Sequence, residues 1–184
     1  MTTAAFVRAA RAADVPTLVR IQVEAWRRAY GPILPTEVCA ELTSDEAADQ
    51  FRQQWHEAIT APPSSRHRVL AATAGTTERE VVGLASFGPA QDPDRWPGTD
   101  AELYALHVAP EHGRAGHGSR LLNAMVDHLL EDRFTAVYAW VLAADAGLHS
   151  LLESTGWRPD GARRELDVAG TAVPMLRLHA GIEA

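Results

Sequence analysis

The sequence contains little of what marks secreted, membrane-spanning or disulfide-stabilised proteins. Its single cysteine, Cys39, cannot form an internal disulfide, so the core must hold without covalent links. It shows no N-terminal segment in which positive charge precedes an apolar run, and we therefore predict a cytoplasmic protein. Uncharged stretches such as residues 134–144 are far shorter than the roughly 20 residues of a membrane span, which predicts no membrane segment.

The chain also has fewer basic than acidic residues. The chain has 24 acidic and 17 basic residues, a formal net charge of -7, which repels the phosphate backbone of nucleic acids. We therefore predict no nucleic-acid partner. With 184 residues, of which 46% are hydrophobic and 22% charged, the composition is that of one ordinary globular domain spanning residues 1–184.

Apolar periodicity alternates along the chain between that of helices and that of strands. Asp14 stands at the N-cap of the first helix, and Thr43 with Glu46 forms a capping-box pattern in a second helical region. Two further helices follow the glycine-rich turn at 113–118 and Asp145. The predicted strands cover residues 6–9, 68–73, 81–87, 101–108, 134–142, 164–168 and 173–178. This order predicts an α/β (α+β) fold with a mixed twisted sheet and helices on both faces.

The most informative segment runs from residue 108 to residue 119 and contains three glycines where a helix begins. Glycines allow backbone N–H groups to converge, and the helix N-terminus adds a positive dipole, so a phosphate or pyrophosphate is the expected ligand. The alternative is a tight strand-to-helix connection without a ligand. Two nucleotide motifs are excluded, because Ser119 replaces the lysine of a P-loop and Leu121 replaces the third glycine of a dinucleotide-binding motif.

Residues 102–110, the glycine-rich turn and the leucines at 121–122 together resemble the acetyl-CoA signature of the GNAT-type N-acetyltransferase superfamily. The resemblance extends to Trp26 and Tyr30 in the first helix, to Gly83 in a middle strand and to the closing run at 153–161. It covers nearly the whole chain and is far more specific than the glycines alone.

The resemblance implies a GNAT-like fold whose sheet splits where the strand ending at Val108 and the strand starting at Phe134 diverge. It implies acetyl-CoA as co-substrate and transfer of the acetyl group to a primary amine of a small molecule or peptide. The amine would attack directly in a ternary complex. The resemblance also leaves a homodimer open.

Carried over by position, the resemblance assigns a run of residues to acetyl-CoA. Backbone amides of the turn would hold the CoA pyrophosphate, Arg120 would reach a phosphate, and the backbone of Leu106 and Val108 would contact the pantetheine arm. The complete set of cofactor-binding residues implied in this way is Leu106, His107, Val108, Gly113, Arg114, Ala115, Gly116, His117, Gly118, Ser119, Arg120 and Asp145.

Three positions depart from the pattern of the superfamily. Gly113 stands where Gln or Arg is usual, and Arg114 beside it could supply the cation. Asp145 stands where Asn is frequent, and Leu152 stands where a tyrosine frequently protonates the departing thiolate, which a leucine cannot do. These departures leave open an alternative, a catalytically weak acyl-CoA-binding or regulatory module of the same fold.

The acceptor amine must lose a proton before it attacks, because an ammonium with a pKa of about 10.4 has no free lone pair at neutral pH. Glu102 is the first candidate for the base, and the alternative is a surface carboxylate at a strand end. Tyr104, two residues on, shares its strand face and could orient the water or amine, or it is a half-buried strand aromatic. His107 lies on the opposite face unless a bulge intervenes, and is the reserve candidate.

The acceptor side offers two groups of residues. Trp26 and Tyr30 are four residues apart on one helical face, where they could line the acceptor pocket or pack in the core. Asp92, Asp94 and Asp100 belong to a proline-rich loop, where they could favour a cationic amine or form a solvated acidic loop.

No metal-binding pattern is present in the sequence. The His-Glu pair at 56–57 begins like a zinc-protease helix, but Thr60 occupies the place of the second histidine. His107, His112 and His117 recur across a strand and a turn rather than on one helical face. We therefore predict that the chemistry uses acetyl-CoA without a metal.

Overall fold

The structure, a computed structural model, describes residues 6–75 and 80–182. Its helices are α1 Val15–Tyr30, α2 Thr36–Leu42, α3 Asp45–Thr60, α4 His117–Glu131 and α5 Ala146–Ser154. Its strands are β1 Phe6–Ala9, β2 Arg68–Ala74, β3 Glu80–Pro89, β4 Asp100–Val108, β5 Ala136–Leu142, β6 Arg158–Val168 and β7 Thr171–Gly181. The predicted α+β class is confirmed.

The seven strands form one mixed sheet in the order β1-β2-β3-β4-β5-β7-β6. Neighbouring strands run antiparallel except for β4 and β5, which are parallel. The pairing of these two covers only Asp100–Glu102 with Ala136–Tyr138, and no further pairing joins them within the described residues. The sheet therefore splits between the C-terminal halves of β4 and β5, as the resemblance implied.

The core lies in two layers, one on each face of the sheet, because successive strand side chains point to opposite faces. The layer of α1 and α3 includes Leu18, Ile21, Phe51, Trp55, Val69, Ala71 and Leu84. The layer of α4 and α5 includes Leu121, Met125, Leu129, Leu152, Leu70, Ala72 and Phe87. The prediction of helices on both faces is thus confirmed.

A β-bulge changes the alternation of side chains along β4. The register between β3 and β4 shifts beside Tyr104, which is the extra residue. Leu103 and Leu106 consequently both pack in the α4 layer although they are three residues apart. The bulge brings His107 to the face of β4 that carries Glu102, which the sequence pattern alone did not determine.

The second helical region consists of two helices, and the predicted capping box is wrong by one residue. The Thr43 hydroxyl donates to the carbonyl of Cys39 over 2.8 Å, so this threonine closes the end of α2. The Ser44 hydroxyl accepts a hydrogen bond from the backbone N–H of Ala47 over 3.2 Å and caps α3. Ser44 therefore caps the unpaired backbone amides at the start of α3, a role that the sequence pattern assigns to Thr43.

Other boundaries also differ from the sequence pattern. Phe134 precedes β5, because its N–H donates to the carbonyl of Leu129 and closes the end of α4. β6 begins at Arg158 rather than residue 164, since backbone pairing with β7 and not apolar alternation defines this exposed strand. Asp14 precedes α1, but its carboxylate accepts hydrogen bonds from the Arg8 guanidinium and the Arg11 N–H and does not cap a helix amide.

Candidate active site

A continuous cleft follows the split in the sheet. The middle cavity, about 490 Å³, lies between the end of β4 and the start of α5. The aromatic cavity, about 260 Å³, lies between α1, β4 and β5, and shares Leu106 and His107 with the middle cavity. The turn cavity, about 610 Å³, lies beside the glycine-rich turn and shares Val108 and Gly113 with the middle cavity. The cleft therefore runs from the glycine-rich turn to α1.

The glycine-rich turn forms one wall of the turn cavity. Its backbone is left-handed at Arg114, with φ 59, and at Gly116, with φ 81, and α4 begins directly after it. A Cβ at Gly118 would lie 2.7 Å from Cδ2 of Leu151, so glycine allows α4 and α5 to approach closely. The first amides of α4 have no partners within the helix, and the turn can present them with the helix dipole to an anion.

The structure places most of the predicted cofactor residues along the cleft. Those that line it are Leu106, His107, Val108, Gly113, Arg114, Gly116, His117, Gly118, Ser119 and Asp145. Ala115 and Arg120 instead bind each other, because the Arg120 Nη1 donates to the carbonyl of Ala115 over 2.9 Å. Arg120 thus stabilises the turn through one Nη atom, and its contact with a phosphate stays a prediction.

Two ionisable residues face the cleft from opposite elements. Asp145 caps α5, since its Oδ1 accepts a hydrogen bond from the backbone N–H of Leu148 over 2.9 Å. Burial lowers the pKa of His107 to about 4, and the charge of Asp145 opposes that lowering. At neutral pH His107 is a neutral imidazole.

Glu102 is half-buried near the start of β4. Its Oε2 accepts a hydrogen bond from the backbone N–H of Gln91 over 2.9 Å. Burial raises the pKa of this carboxyl, the Gln91 N–H lowers it, and the charge of Asp92 raises it further. Glu102 lies two residues before Tyr104, which lines the aromatic cavity, but is not itself one of the cavity's lining residues.

Tyr104 has its hydroxyl engaged by the backbone. The hydroxyl donates to the carbonyl of Pro89 over 2.6 Å, and burial raises the pKa of Tyr104 to about 12. The ring contributes to the wall of the aromatic cavity. Tyr104 is therefore both a half-buried strand aromatic and a lining residue of the cleft.

The aromatic cavity is lined from both sides. Trp26 and Tyr30 meet edge to face with ring centroids 5.4 Å apart, and both line the cavity from α1. Trp26 also packs against Phe51 of α3 at 5.0 Å, so the core and lining roles are combined in one side chain. Trp140 of β5 and Met175 of β7 complete the wall, and the sequence analysis did not single them out.

The carboxylates of the proline-rich loop form an internal ion-pair network. The buried Arg177 of β7 donates to Asp92 over 2.9 Å, to Asp94 over 2.7 Å and to Asp160 over 2.8 Å. Asp92 also accepts from the Trp140 indole N–H over 2.8 Å. Asp92 is thus a nearly buried ion-pair partner, 14% exposed, and not a solvated carboxylate, whereas Asp94 is paired but remains 52% exposed.

Asp100, the third carboxylate of that loop, has a local role, since its Oδ2 accepts from the backbone N–H of Trp96 over 3.0 Å. Across residues 6–75 and 80–182, no three metal-binding side chains gather into a potential metal site. In the same part of the chain, no helix combines the length and apolar character needed to cross a membrane.

Comparison with known proteins identifies the family. A family model described as the acetyltransferase (GNAT) family matches residues 22–157. The chain belongs to the GNAT acetyltransferase family. It is 29% identical over 136 residues to the uncharacterized N-acetyltransferase YuaI of Bacillus subtilis (strain 168), covering 74% of this chain and 70% of that protein.

Solved structures show that the GNAT fold extends over the chain. PaiA N-acetyltransferase of Thermoplasma acidophilum, in complex with coenzyme A, has 16% identity and a TM-score of 0.72, covering 97% of this chain and 99% of that chain. YncA of Salmonella typhimurium, with acetyl-CoA, has 20% identity and a TM-score of 0.71, covering 98% and 95%.

In this GNAT protein, two signals could have pointed to the missed residues. Tyr138 and Trp140 alternate along β5, a spacing that puts both aromatics on one strand face. Arg177 interrupts the apolar strand from Met175 to Leu178, and a charged residue there predicts a buried ion pair. Neither pattern names its partners, which come from loops and strands distant in sequence.

Proposed function

We propose that this GNAT protein transfers an acetyl group from acetyl-CoA to a primary amine of a small molecule or peptide, by direct attack in a ternary complex. The observation that carries the proposal is the split between β4 and β5, which opens one cleft from the glycine-rich turn to the aromatic cavity. A cleft with a phosphate-binding end and an apolar end suits a long cofactor and a separate acceptor.

The cofactor end fits acetyl-CoA through its backbone. The N–H groups around Gly116, Gly118 and Ser119 would hold the pyrophosphate, because these residues line the turn cavity at the N-terminus of α4, where the helix dipole favours an anion. Arg114, which lines the same cavity, would add a cation. In the split, the backbone groups of Leu106 and Val108 would contact the pantetheine arm and polarise the thioester carbonyl.

The acetyl thioester supplies the reactive carbon, and the protein supplies position and proton transfer. Glu102 accepts the proton of the ammonium, directly or through water, and its burial-raised pKa brings it closer to neutrality than an exposed carboxylate. The amine nitrogen bonds to the acetyl carbon, the carbon–sulfur bond breaks, and the nitrogen releases its second proton to water as it becomes the amide. Leu152 lines the aromatic cavity and has no ionisable proton, so the departing thiolate takes its proton from solvent.

Two measurements on one sample test this function. Calorimetric titration with acetyl-CoA and CoA should show binding, and a panel of amines should then release free thiol from acetyl-CoA in an amine-dependent way. Binding without thiol release from any amine would favour the acyl-CoA-binding or regulatory module. If neither acetyl-CoA nor CoA binds, the functional proposal fails while the fold stands.

Arg114→Glu should weaken CoA binding about 10-fold or more, because it replaces a cation beside the pyrophosphate with a carboxylate. Calorimetric titration with CoA measures the change. Arg133→Glu is a matched control, because Arg133 is also an arginine with a left-handed backbone, φ 61, but lies beyond the other end of α4. Equal affinities of the two variants would show that the Arg114 side chain does not serve the cofactor.

A further inference from the structure

Arg164 of β6 contacts two residues of the wall of the aromatic cavity, although it is not itself one of the lining residues. Its guanidinium carbon is 4.3 Å from the centroid of the Trp140 ring, and its Nε is 3.5 Å from Sδ of Met175. Trp140 and Met175 both line the aromatic cavity. Burial raises the pKa values of Tyr30 and Glu102, and the Arg164 charge opposes the rise at each. The guanidinium therefore lies close to both the cavity wall and the candidate base.

The charge of Arg164 is not compensated as those of its neighbours are. Arg177 and Arg95, which also lie near Trp140 and Tyr138, pair with carboxylates of the proline-rich loop. Over the described ranges 6–75 and 80–182, no carboxylate lies within ion-pair distance of Arg164. In a chain of net charge -7, this guanidinium, held in place on an indole ring, is available to an anion.

The cavity beneath Arg164 suits a compact apolar body. Trp26, Tyr30, Tyr104 and Trp140 present four aromatic rings, and Met175 adds a flexible thioether that fits irregular shapes. A volume of about 260 Å³ limits the acceptor to a small molecule or a single side chain. Asp92 and Asp94 of the neighbouring loop already form ion pairs with Arg177.

We propose that the acceptor is an amino acid with a large apolar or aromatic side chain, which fills the aromatic cavity while its carboxylate binds Arg164. This inference rests on the proposed function only in that the amine of the bound amino acid would be acetylated. An arginine fork binds a carboxylate through two parallel hydrogen bonds, which would direct the neighbouring amine of the same molecule towards Glu102. A simple amine of the same shape would lack that anchor.

Binding can be measured without turnover by calorimetric titration of the protein saturated with CoA. The probes are L-phenylalanine, L-tryptophan, L-leucine and L-methionine, with 2-phenylethylamine and L-phenylalaninamide as analogues that lack the carboxylate. We expect at least one amino acid to bind, and L-phenylalanine to bind about 10-fold or more tightly than its two analogues. Failure of all four amino acids to bind, or equal affinity for L-phenylalanine and its analogues, overturns the inference.

Arg164→Gln should remove this preference, lowering the affinity for L-phenylalanine about 10-fold or more and leaving that for 2-phenylethylamine unchanged. Arg163→Gln is the matched control, because Arg163 is the adjacent exposed arginine of β6 and points to the other side of the strand. Equal losses in the two variants, or equal losses for the amino acid and the amine, would overturn the assignment of Arg164.

The two proposals fail in different ways. If amino acids bind with the expected dependence on Arg164 but no thiol is released from acetyl-CoA, the acceptor site stands and the transferase function fails. If amines release thiol regardless of a carboxylate and Arg164→Gln changes nothing, the transferase function stands and the amino-acid acceptor is excluded.

Discussion

Glu102→Gln should lower the rate of acetyl transfer by roughly 100- to 10,000-fold, the contribution expected of a positioned general base. The substitution keeps the shape of the side chain, and the glutamine oxygen can still accept the hydrogen bond from the Gln91 N–H. It removes only the ability to take a proton from the ammonium. The measurement is thiol release from acetyl-CoA at saturating amine, together with CoA affinity, which should not change.

The pH dependence gives this prediction a second readout. Because the pKa of Glu102 is raised, the wild-type rate should fall as the pH drops through that raised value and the carboxylate becomes protonated. The rate of the variant should not show this fall, and its remaining pH dependence should come only from protonation of the acceptor amine. Glu165→Gln, at an exposed position of β6, is the control and should leave rate and profile unchanged. A Glu102→Gln variant with the wild-type rate would exclude Glu102 as the base and direct attention to His107.

Arg177→Met should destabilise the protein by about 3–5 kcal/mol, because it removes the cation that compensates two nearly buried carboxylates. The side chains of Asp92 and Asp160 are 14% and 15% exposed, so water can replace the lost guanidinium only in part. Arg177 also joins the loop between β3 and β4 to β6, so its loss frees the segment that carries Gln91 and the Asp92 partner of Trp140. Urea unfolding measures the loss of stability.

The pH dependence of the stability loss in Arg177→Met distinguishes uncompensated charge from lost packing as its cause. In the wild type, the hydrogen bond from Arg177 and then that from Arg95 hold the pKa of Asp94 well below its usual range. The stabilisation that this lowered pKa provides is complete at pH values above the pKa of Asp94 in the unfolded chain. It is lost as the pH falls through the lower pKa of Asp94 in the folded protein. In the variant, Asp94 loses the hydrogen bond from Arg177, and with it the larger part of what lowers its pKa. The difference in stability between wild type and variant should therefore narrow as the pH falls below the ordinary aspartate pKa of about 3.9.

Two further variants serve as controls for Arg177. Arg163→Met removes an exposed guanidinium from the facing strand and should change stability little. Adding Asp92→Asn and Asp160→Asn to Arg177→Met removes the uncompensated charges and should recover part of the lost stability. A stability gap that does not depend on pH and is not recovered by these substitutions would show that the guanidinium matters through its packing on Trp140 and Tyr138.

The sequence by itself determined the secondary-structure order, the glycine-rich turn and the resemblance to the GNAT superfamily, because these depend on local spacing. Apolar periodicity is read along one element, and the convergence of amides at Gly116 and Gly118 depends on a few consecutive residues. The sequence also identified Trp26 and Tyr30 as neighbours, since residues four apart share a helix face.

Only the tertiary structure decided which side chains meet across the cleft. The bulge at Tyr104 depends on register with β3 and reverses the face expected for His107. The Arg177 network joins residues separated by up to 85 positions, so no local pattern could show that Asp92 and Asp94 are already paired. For the same reason Arg164 becomes significant only once the fold brings its guanidinium onto Trp140, which lines the aromatic cavity.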